Sequence, residues 1–222
     1  MFFEEHAKLL SDFARVSQAA GARADYVQGG GGNTSVKLPG GLMAIKASGF
    51  CLSDIRPDKA YAVLDGADLR NFYLTTEPSA LADVEKEGSA RAKADVRHID
   101  GLADLRPSVE AGFHSILKTF VVHTHSVYAN LAACSTACRP IAAQAFAGAN
   151  YTWGWVPYTD PGANLTFAIR DELRRVEKET GKVPSVILMQ NHGIIVHDDD
   201  PDTALAIHTD ANERLARMFG LS

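Results

Sequence analysis

Apolar residues at Phe3, Leu10, Phe13 and Val16 fall near one face at helical spacing, and Gly21 follows where helices commonly end, so residues 2–20 predict an opening amphipathic helix. In the stretch QGGGGNTSVKLPGGLMAIKASGF, two short alternating runs flank Pro39-Gly40-Gly41, which predicts a hairpin with a glycine run just ahead of its first strand. YAVLD reads as a further short strand. Residues 66–105 are mixed, charged and poor in large apolar groups, and predict an excursion from the core. The pattern tightens from Pro107: Ser108 is placed to cap a helix through Leu117, FVVHTH reads as a buried strand, and Ser126 is placed to cap the alanine-rich helix that follows. Near the end, Asn164 is placed to cap a helix to about Thr180, and Gly181 stops it. VILMQ and GIIVH are strands joined through Asn191-His192-Gly193, and Pro201 opens a final helix. No repeat, low-complexity tract or linker divides the chain. A single α/β domain over 1–222 is expected, with hairpins that favour a mixed or antiparallel sheet over a purely parallel one.

Composition narrows the class. With 222 residues and 46% apolar content, the chain can fill a core without disulfides or a structural metal, so a metal here needs a reason other than stapling. The net charge of −5 and the dispersed basic residues provide no stripe to neutralise a phosphate backbone, and no nucleic-acid partner is expected. The start, MFFEEHAKLLSDF, is acidic where a secretory signal would be basic, and no apolar run approaches the ~20 residues that span a bilayer. A cytoplasmic protein without a membrane partner is expected. Cys51, Cys134 and Cys138 cannot all pair, and the last two stand at i, i+4 spacing rather than in a C-x-x-C knuckle, so buried free thiols are expected.

Candidate chemistry gathers on histidines. Residues two apart on a strand point to one side, so His123 and His125 present two imidazoles together at the end of FVVHTH. Such a pair can be two ligands of one metal site or two hydrogen-bonded structural residues. A third ligand would have to come from elsewhere, and His192 is the best candidate because it lies in a tight turn beside Gly193. His6 and His208 fall on helices, His98 lies in the excursion and His197 ends a strand, all read as solvated or structural. Glu110 opens the helix leading into FVVHTH and could reach the metal, although the helix macrodipole favours a first-turn Glu without any catalytic duty. His114 reads as its i, i+4 partner. The run from Gly29 to Gly32 followed by Asn33-Thr34-Ser35 offers backbone N–H groups, an amide and two hydroxyls that can wrap an anion, and Ser48-Gly49 can add a second edge. It is neither a Walker loop nor a Rossmann fingerprint.

Taken in order, GGGGNTSVK, KASG, RPSVE, VVHTHS, VPYTDPG and QNHGIIV resemble the class II aldolase/adducin family, over nearly the whole chain. The resemblance implies a three-layer α/β/α fold with a mixed, largely antiparallel central sheet. It also implies Zn2+, or another divalent ion, on His123, His125 and His192, with Glu110 alternately completing the resting metal site and acting as base. The phosphate pocket it implies comprises Gly32, Asn33, Thr34, Ser35, Ser48, Gly49 and Ser108. The implied activity is that of a lyase that makes or breaks a carbon–carbon bond in a small sugar phosphate or related compound through a zinc-stabilised enediolate. Similar scaffolds serve sugar-phosphate epimerases and a dehydratase, and fold alone does not separate these. A non-catalytic adducin-like module would have no need of all three histidines and Glu110. A phosphorylated small-molecule substrate and a homotetramer are the partners implied. Two departures stand out: Val109 replaces a second serine before the Glu, and the 66–105 excursion is long, which suggests an altered site rim or interface. Tyr128, Tyr151 and Tyr158 are candidates for a proton-donating tyrosine, and Lys46 reads as an ordinary charged residue.

Overall fold

The computed structural model describes residues 1–221. The expected opening helix is broken at His6 into α1 (Phe2–Glu5) and α2 (Ala7–Gly21). The break has a packing cause: the His6 ring is buried, 4.8 Å from Phe2 edge to face, and Phe2 and Phe3 turn onto the core. The hairpin forms as expected from β1 (Asn33–Lys37) and β2 (Leu42–Lys46), with Val36 opposite Ala44, and its turn places Gly40 and Gly41 at φ of 76° and 80°, where side chains are strained.

YAVLD becomes β3 (Tyr61–Asp65), and the residues after it are more regular than an excursion. They form α3 (Gly66–Thr75), α4 (Val84–Ala94) and the short β4 (Val96–Arg97). Asp65 and Asp83 each cap the helix that follows through a 3.0 Å bond to a backbone N–H. Leu69 and Tyr73 are enough to dock α3 into the core, and the charged positions around them face outward.

The second half contributes α5 (Ala111–Ile116), β5 (Phe120–Thr124), α6 (Val127–Ala133), α7 (Cys138–Ala145), β6 (Trp153–Val156), α8 (Ala163–Thr180), β7 (Val186–Met189), β8 (Gly193–Asp198) and α9 (Pro201–Met218). Ser126 caps α6 as expected, accepting from Ala129 N at 3.4 Å. Asn164 does not cap α8: the helix starts one residue earlier, and the Glu85 carboxylate of α4 takes the N–H groups of Ala163 and Asn164 at 2.9 and 2.7 Å. A full negative charge serves the helix N-terminus better than an amide. The thiol expectation holds only for Cys138, since Cys134 is exposed at the end of α6 and Cys51 is half-buried.

The strands make one eight-stranded sheet in the order β4-β3-β2-β1-β5-β8-β7-β6, antiparallel throughout except for β6 beside β7. Alternation sorts each strand's residues between two helical layers. Val36, Val122, Val186 and Val196 face α1, α2, α6, α7 and α9, whereas Ile45, Val121, Ile187 and Ile195 face α3, α5 and α8. The fold is therefore a three-layer α/β/α sandwich with a mixed, largely antiparallel sheet. No helix among the described residues is long and apolar enough to cross a membrane.

Candidate active site

Strand register assembles the site. Asn33 of β1 lies opposite His123 of β5, and Thr124 lies opposite Ile194 of β8, so the first residues of β1 and β8 flank the end of β5. Two glycines permit this closeness: a Cβ on Gly32 would stand 2.6 Å from the His123 carbonyl oxygen, and one on Gly193 2.4 Å from that of Thr124. Between β7 and β8, Asn191 takes φ of 54° and swings His192 back over the end of β5. The outcome is a triangle of imidazoles, with ring centroids 4.9 Å apart for His123 and His125, 5.0 Å for His123 and His192, and 5.1 Å for His125 and His192. One nitrogen from each lies within 4.8 Å of the others, an arrangement that could hold a metal ion. His123 is fully buried and its Nδ1 lies 3.0 Å from the Ile194 carbonyl oxygen, so that nitrogen donates and Nε2 keeps a lone pair for the triangle.

Glu110 stands at the open side of this triangle, 6% exposed, at the residue just before α5. Its Oε2 accepts from Asn33 Nδ2 at 2.6 Å and lies 3.6 Å from His123 Nε2. Its Oε1 is 3.1 Å from His192 Nε2 but makes no aligned hydrogen bond. Burial alone would raise its pKa; the neighbouring His123 and His192 and the Asn33 bond outweigh that and hold it below the usual carboxylate range. Burial draws His123 down to about 3 and also lowers His125. Neutral imidazoles beside an ionised carboxylate are the protonation states that divalent metals require of such donors.

Ser108 does not cap α5, which begins at Ala111. Its Oγ instead accepts from Asn33 Nδ2 at 3.1 Å and from Glu110 N at 3.3 Å, so it steadies the carboxylate from both sides. Ser48 and Gly49 come alongside, since Ala47 bridges Pro107, Ser48 N donates to Arg106 O at 2.9 Å, and Arg106 Nη2 donates to Ser48 Oγ at 3.1 Å. Asn33 and Ser108 thus contact Glu110 directly, Gly32 precedes Asn33 against the end of β5, and Ser48 and Gly49 lie along the Arg106–Pro107 segment that leads to Ser108. Thr34 and Ser35 do not join them. Thr34 points to the other face of the sheet and pairs with Ser17 Oγ at 2.6 Å, and the buried Ser35 hydroxyl pairs with His114 Nδ1 at 2.7 Å. Val109 is 67% exposed and gives the cup no hydroxyl. Tyr151 bonds Asp210 and Tyr158 bonds Asp160, each at 2.8 Å, away from the imidazoles.

Two residues matter more than their sequence context indicates. His114 is fully buried and held between Ser35 and the Asn33 side-chain oxygen, and burial keeps it neutral. By donating to that oxygen it orients the Asn33 amide with its N–H2 toward Glu110 and Ser108. Lys46, also buried, bonds the Phe50 carbonyl at 2.7 Å and that of Gly30 at 3.3 Å, which ties the glycine run to the KASGF segment. Its place within the apolar run LMAIK was the one sequence signal that it is not an ordinary surface lysine.

Three imidazole nitrogens and a buried carboxylate oxygen without a hydrogen bond, all converging, form a donor set suited to a divalent ion. The sequence matches the family described as "Class II Aldolase and Adducin N-terminal domain" over residues 11–219. The chain belongs to the class II aldolase/adducin family. Its fold is similar to the N-terminal class II aldolase domain of a conserved protein from Thermoplasma acidophilum, with a TM-score of 0.75 and 20% identity over 94% of this chain and 92% of that one. It is also similar to YgbL from Klebsiella pneumoniae, whose name leaves the reaction open among aldolase, epimerase and decarboxylase; there the TM-score is 0.66 and the identity 18% over 98% and 91% of the two chains. The L-fuculose-1-phosphate aldolase of Thermus thermophilus matches with a TM-score of 0.57 and 15% identity over 96% and 94%. No curated protein matches the sequence. At these identities the structural likeness establishes the class II aldolase fold and leaves the reaction to be argued from the site.

Proposed function

We propose that this family member is a zinc-dependent class II aldolase that cleaves or forms a carbon–carbon bond in a small sugar phosphate or related hydroxy-carbonyl compound. The observation that carries the reading is the meeting of His123, His125 and His192 with an ionised, buried Glu110 at the ends of the central strands. The three histidines are the metal's ligands. When bound, the ion supplies a Lewis acid for the substrate's carbonyl and neighbouring hydroxyl oxygens. Glu110 is the base in the direction of bond formation, taking a proton from the carbon beside the carbonyl, and the acid that returns it after cleavage. Asn33 holds the carboxylate in place for that exchange. The substrate's anionic end is bound by Gly32, Asn33, Ser48, Gly49 and Ser108, with Thr34 and Ser35 supporting the strand from behind rather than touching the ligand. A homotetramer is the assembly expected with this activity, and light scattering tests it.

The experiment is elemental analysis of the purified chain followed by incubation with ketose 1-phosphates, L-fuculose 1-phosphate included. About one zinc per chain and release of dihydroxyacetone phosphate are expected, and Glu110→Gln should slow turnover about 10²–10⁴-fold. Metal without cleavage, and with an epimerised or dehydrated product, would move the assignment to the sibling reactions, while full turnover in Glu110→Gln would remove Glu110 as the base.

A further inference from the structure

A second concave site lies at the other end of the same strands. From Asn33 to Lys37 is roughly 13 Å along β1 at about 3.3 Å per residue, and Lys37 opens into a cavity of about 640 Å³ between α3, the end of α5 and α8. That volume suits a small molecule. In a chain of net charge −5 the walls are unexpectedly cationic, with Lys37, Arg70, Lys118, Arg170 and Arg174 against Glu177 and Asp199.

Two of these cations are already matched. Lys118 pairs with Asp198 at 2.9 Å, and Arg170 is held by Asp171 at 2.8 Å and by the carbonyls of Tyr73 and Thr76. The rest are not. Lys37 donates only to the His114 carbonyl oxygen, and Arg70 to that of Ser115 at 3.2 Å; neither has a carboxylate within 4.0 Å among the described residues. Arg174 donates to Leu74 O at 2.9 Å, and its nearest carboxylate, that of Asp171, is 3.9 Å away and shared with Arg170. Of the two acids, Asp199 is occupied by the Thr119 N–H and hydroxyl at 3.1 and 2.6 Å. Burial and the adjacent Arg70 together draw the Lys37 ammonium well below its ordinary value, which an anion between the two would reverse.

A buried imidazole completes the polar side of the cavity. The His197 ring is 1% exposed and lines this cavity; its Nδ1 is 3.5 Å from Lys118 N, which donates to it, so Nε2 carries the proton. That N–H has no well-aligned acceptor; the Pro184 carbonyl takes it in a weak backbone hydrogen bond. The remaining walls, Leu74, Leu117 and Leu173 among them, are apolar.

We propose that this groove is a second, non-catalytic site for a small organic phosphate, with the phosphate between Lys37, Arg70 and Arg174 and the organic body on the leucines. The unpaired Lys37 ammonium and Arg70 guanidinium, with the weakly paired Arg174 guanidinium at the rim, match a phosphate dianion better than a monocarboxylate. The site is separate from the proposed reaction and does not depend on it.

Calorimetric titration of the full-length, metal-loaded protein with phenyl phosphate tests this. Arg70→Gln should weaken one binding event at least tenfold while Ser108→Ala leaves that event intact. Arg174→Gln, at the exposed rim, should do the same if Arg70→Gln fails to fold, and benzoate should bind at least tenfold more weakly than phenyl phosphate. The proposal is overturned if phenyl phosphate binds both arginine variants as it binds wild type, if all binding disappears in Ser108→Ala, or if benzoate binds equally well.

Discussion

Replacing His114 with Phe isolates the part that orients the site without touching a metal ligand. Phenylalanine keeps the ring's volume and its stacking on Phe113, where the centroids are 4.7 Å apart, so no large cavity opens. What disappears is the bridge between Ser35 and Asn33. Two buried polar groups lose their partner at about 1–3 kcal/mol each. The Ser35 hydroxyl can rotate and recover part of this, and about 2–4 kcal/mol of lost stability is expected. Freed from His114, the Asn33 amide can turn its oxygen toward Glu110, which replaces a 2.6 Å charge-assisted bond with a repulsive contact. On the scale of outer-shell substitutions, kcat should fall about 10–100-fold. Bound metal should be nearly unchanged, because the Ile194 carbonyl holds His123 independently. Urea unfolding, steady-state kinetics and elemental analysis on the same preparation measure all three quantities. His114→Gln, which can both donate and accept, should recover part of the loss. An unfolding midpoint and a kcat within twofold of wild type for His114→Phe would show that Asn33 needs no such support.

Other consequences are as direct. His192→Ala should lower metal content after dialysis at least tenfold with the fold intact by circular dichroism; undiminished zinc would exclude the three-histidine site. His208 is buried against Tyr26 and bonded to Thr124 Oγ1 at 2.8 Å, and burial brings its pKa to about 3. Below its unfolded value of 6.5 the unfolded chain therefore takes up a proton that the folded chain refuses. Stability should fall with falling pH by about 1.4 kcal/mol per unit from this group between pH 6.5 and about 3. His208→Gln should flatten the pH dependence of unfolding by about one proton, and parallel curves would contradict the assignment. Gly32→Ala must fit a Cβ 2.6 Å from the His123 carbonyl at φ of 69°, and should cost about 2 kcal/mol or more together with metal affinity; a neutral result in thermal melts would show that β1 and β5 can separate there.

The sheet's centre was legible because its strands are short, β-branched or apolar runs bounded by turn residues: NTSVK, LMAIK, FVVHTH and GIIVH all appear where expected, and the H-x-H pair points as strand geometry requires. Residues 66–105 were misread as an excursion because α3 docks through two residues, Leu69 and Tyr73, amid charges that satisfy caps and solvent. The strand WGWV was missed since Gly154 interrupts its pattern; the gap is filled by Glu172 of α8, which no local signal shows. Thr34 was grouped with Asn33 although the two-residue period of a strand puts neighbours on opposite faces, a separation already available in the sequence, whereas Ser35 shares the Asn33 face and is taken up by His114. His114 could not be read, because its partners Ser35 and Asn33 lie on another element and only folding brings them close, whereas the apolar run around Lys46 was a signal left unused.

The histidines' spacing along the chain has a consequence for how the site is made. His123 and His125 leave the ribosome well before His192, and the turn holding His192 is positioned only when β8 pairs with β5. A nascent chain therefore offers a loose two-nitrogen chelate, with the affinity order of bare ligands and no geometric choice among ions. The Glu110 oxygen, earlier in the chain, is set by Asn33 and Ser108, and the third nitrogen arrives last, in a frame already rigid. If the proposed metal site is right, selection of the ion belongs to the finished sheet, and a chain cut anywhere before β8 would be unable to make it.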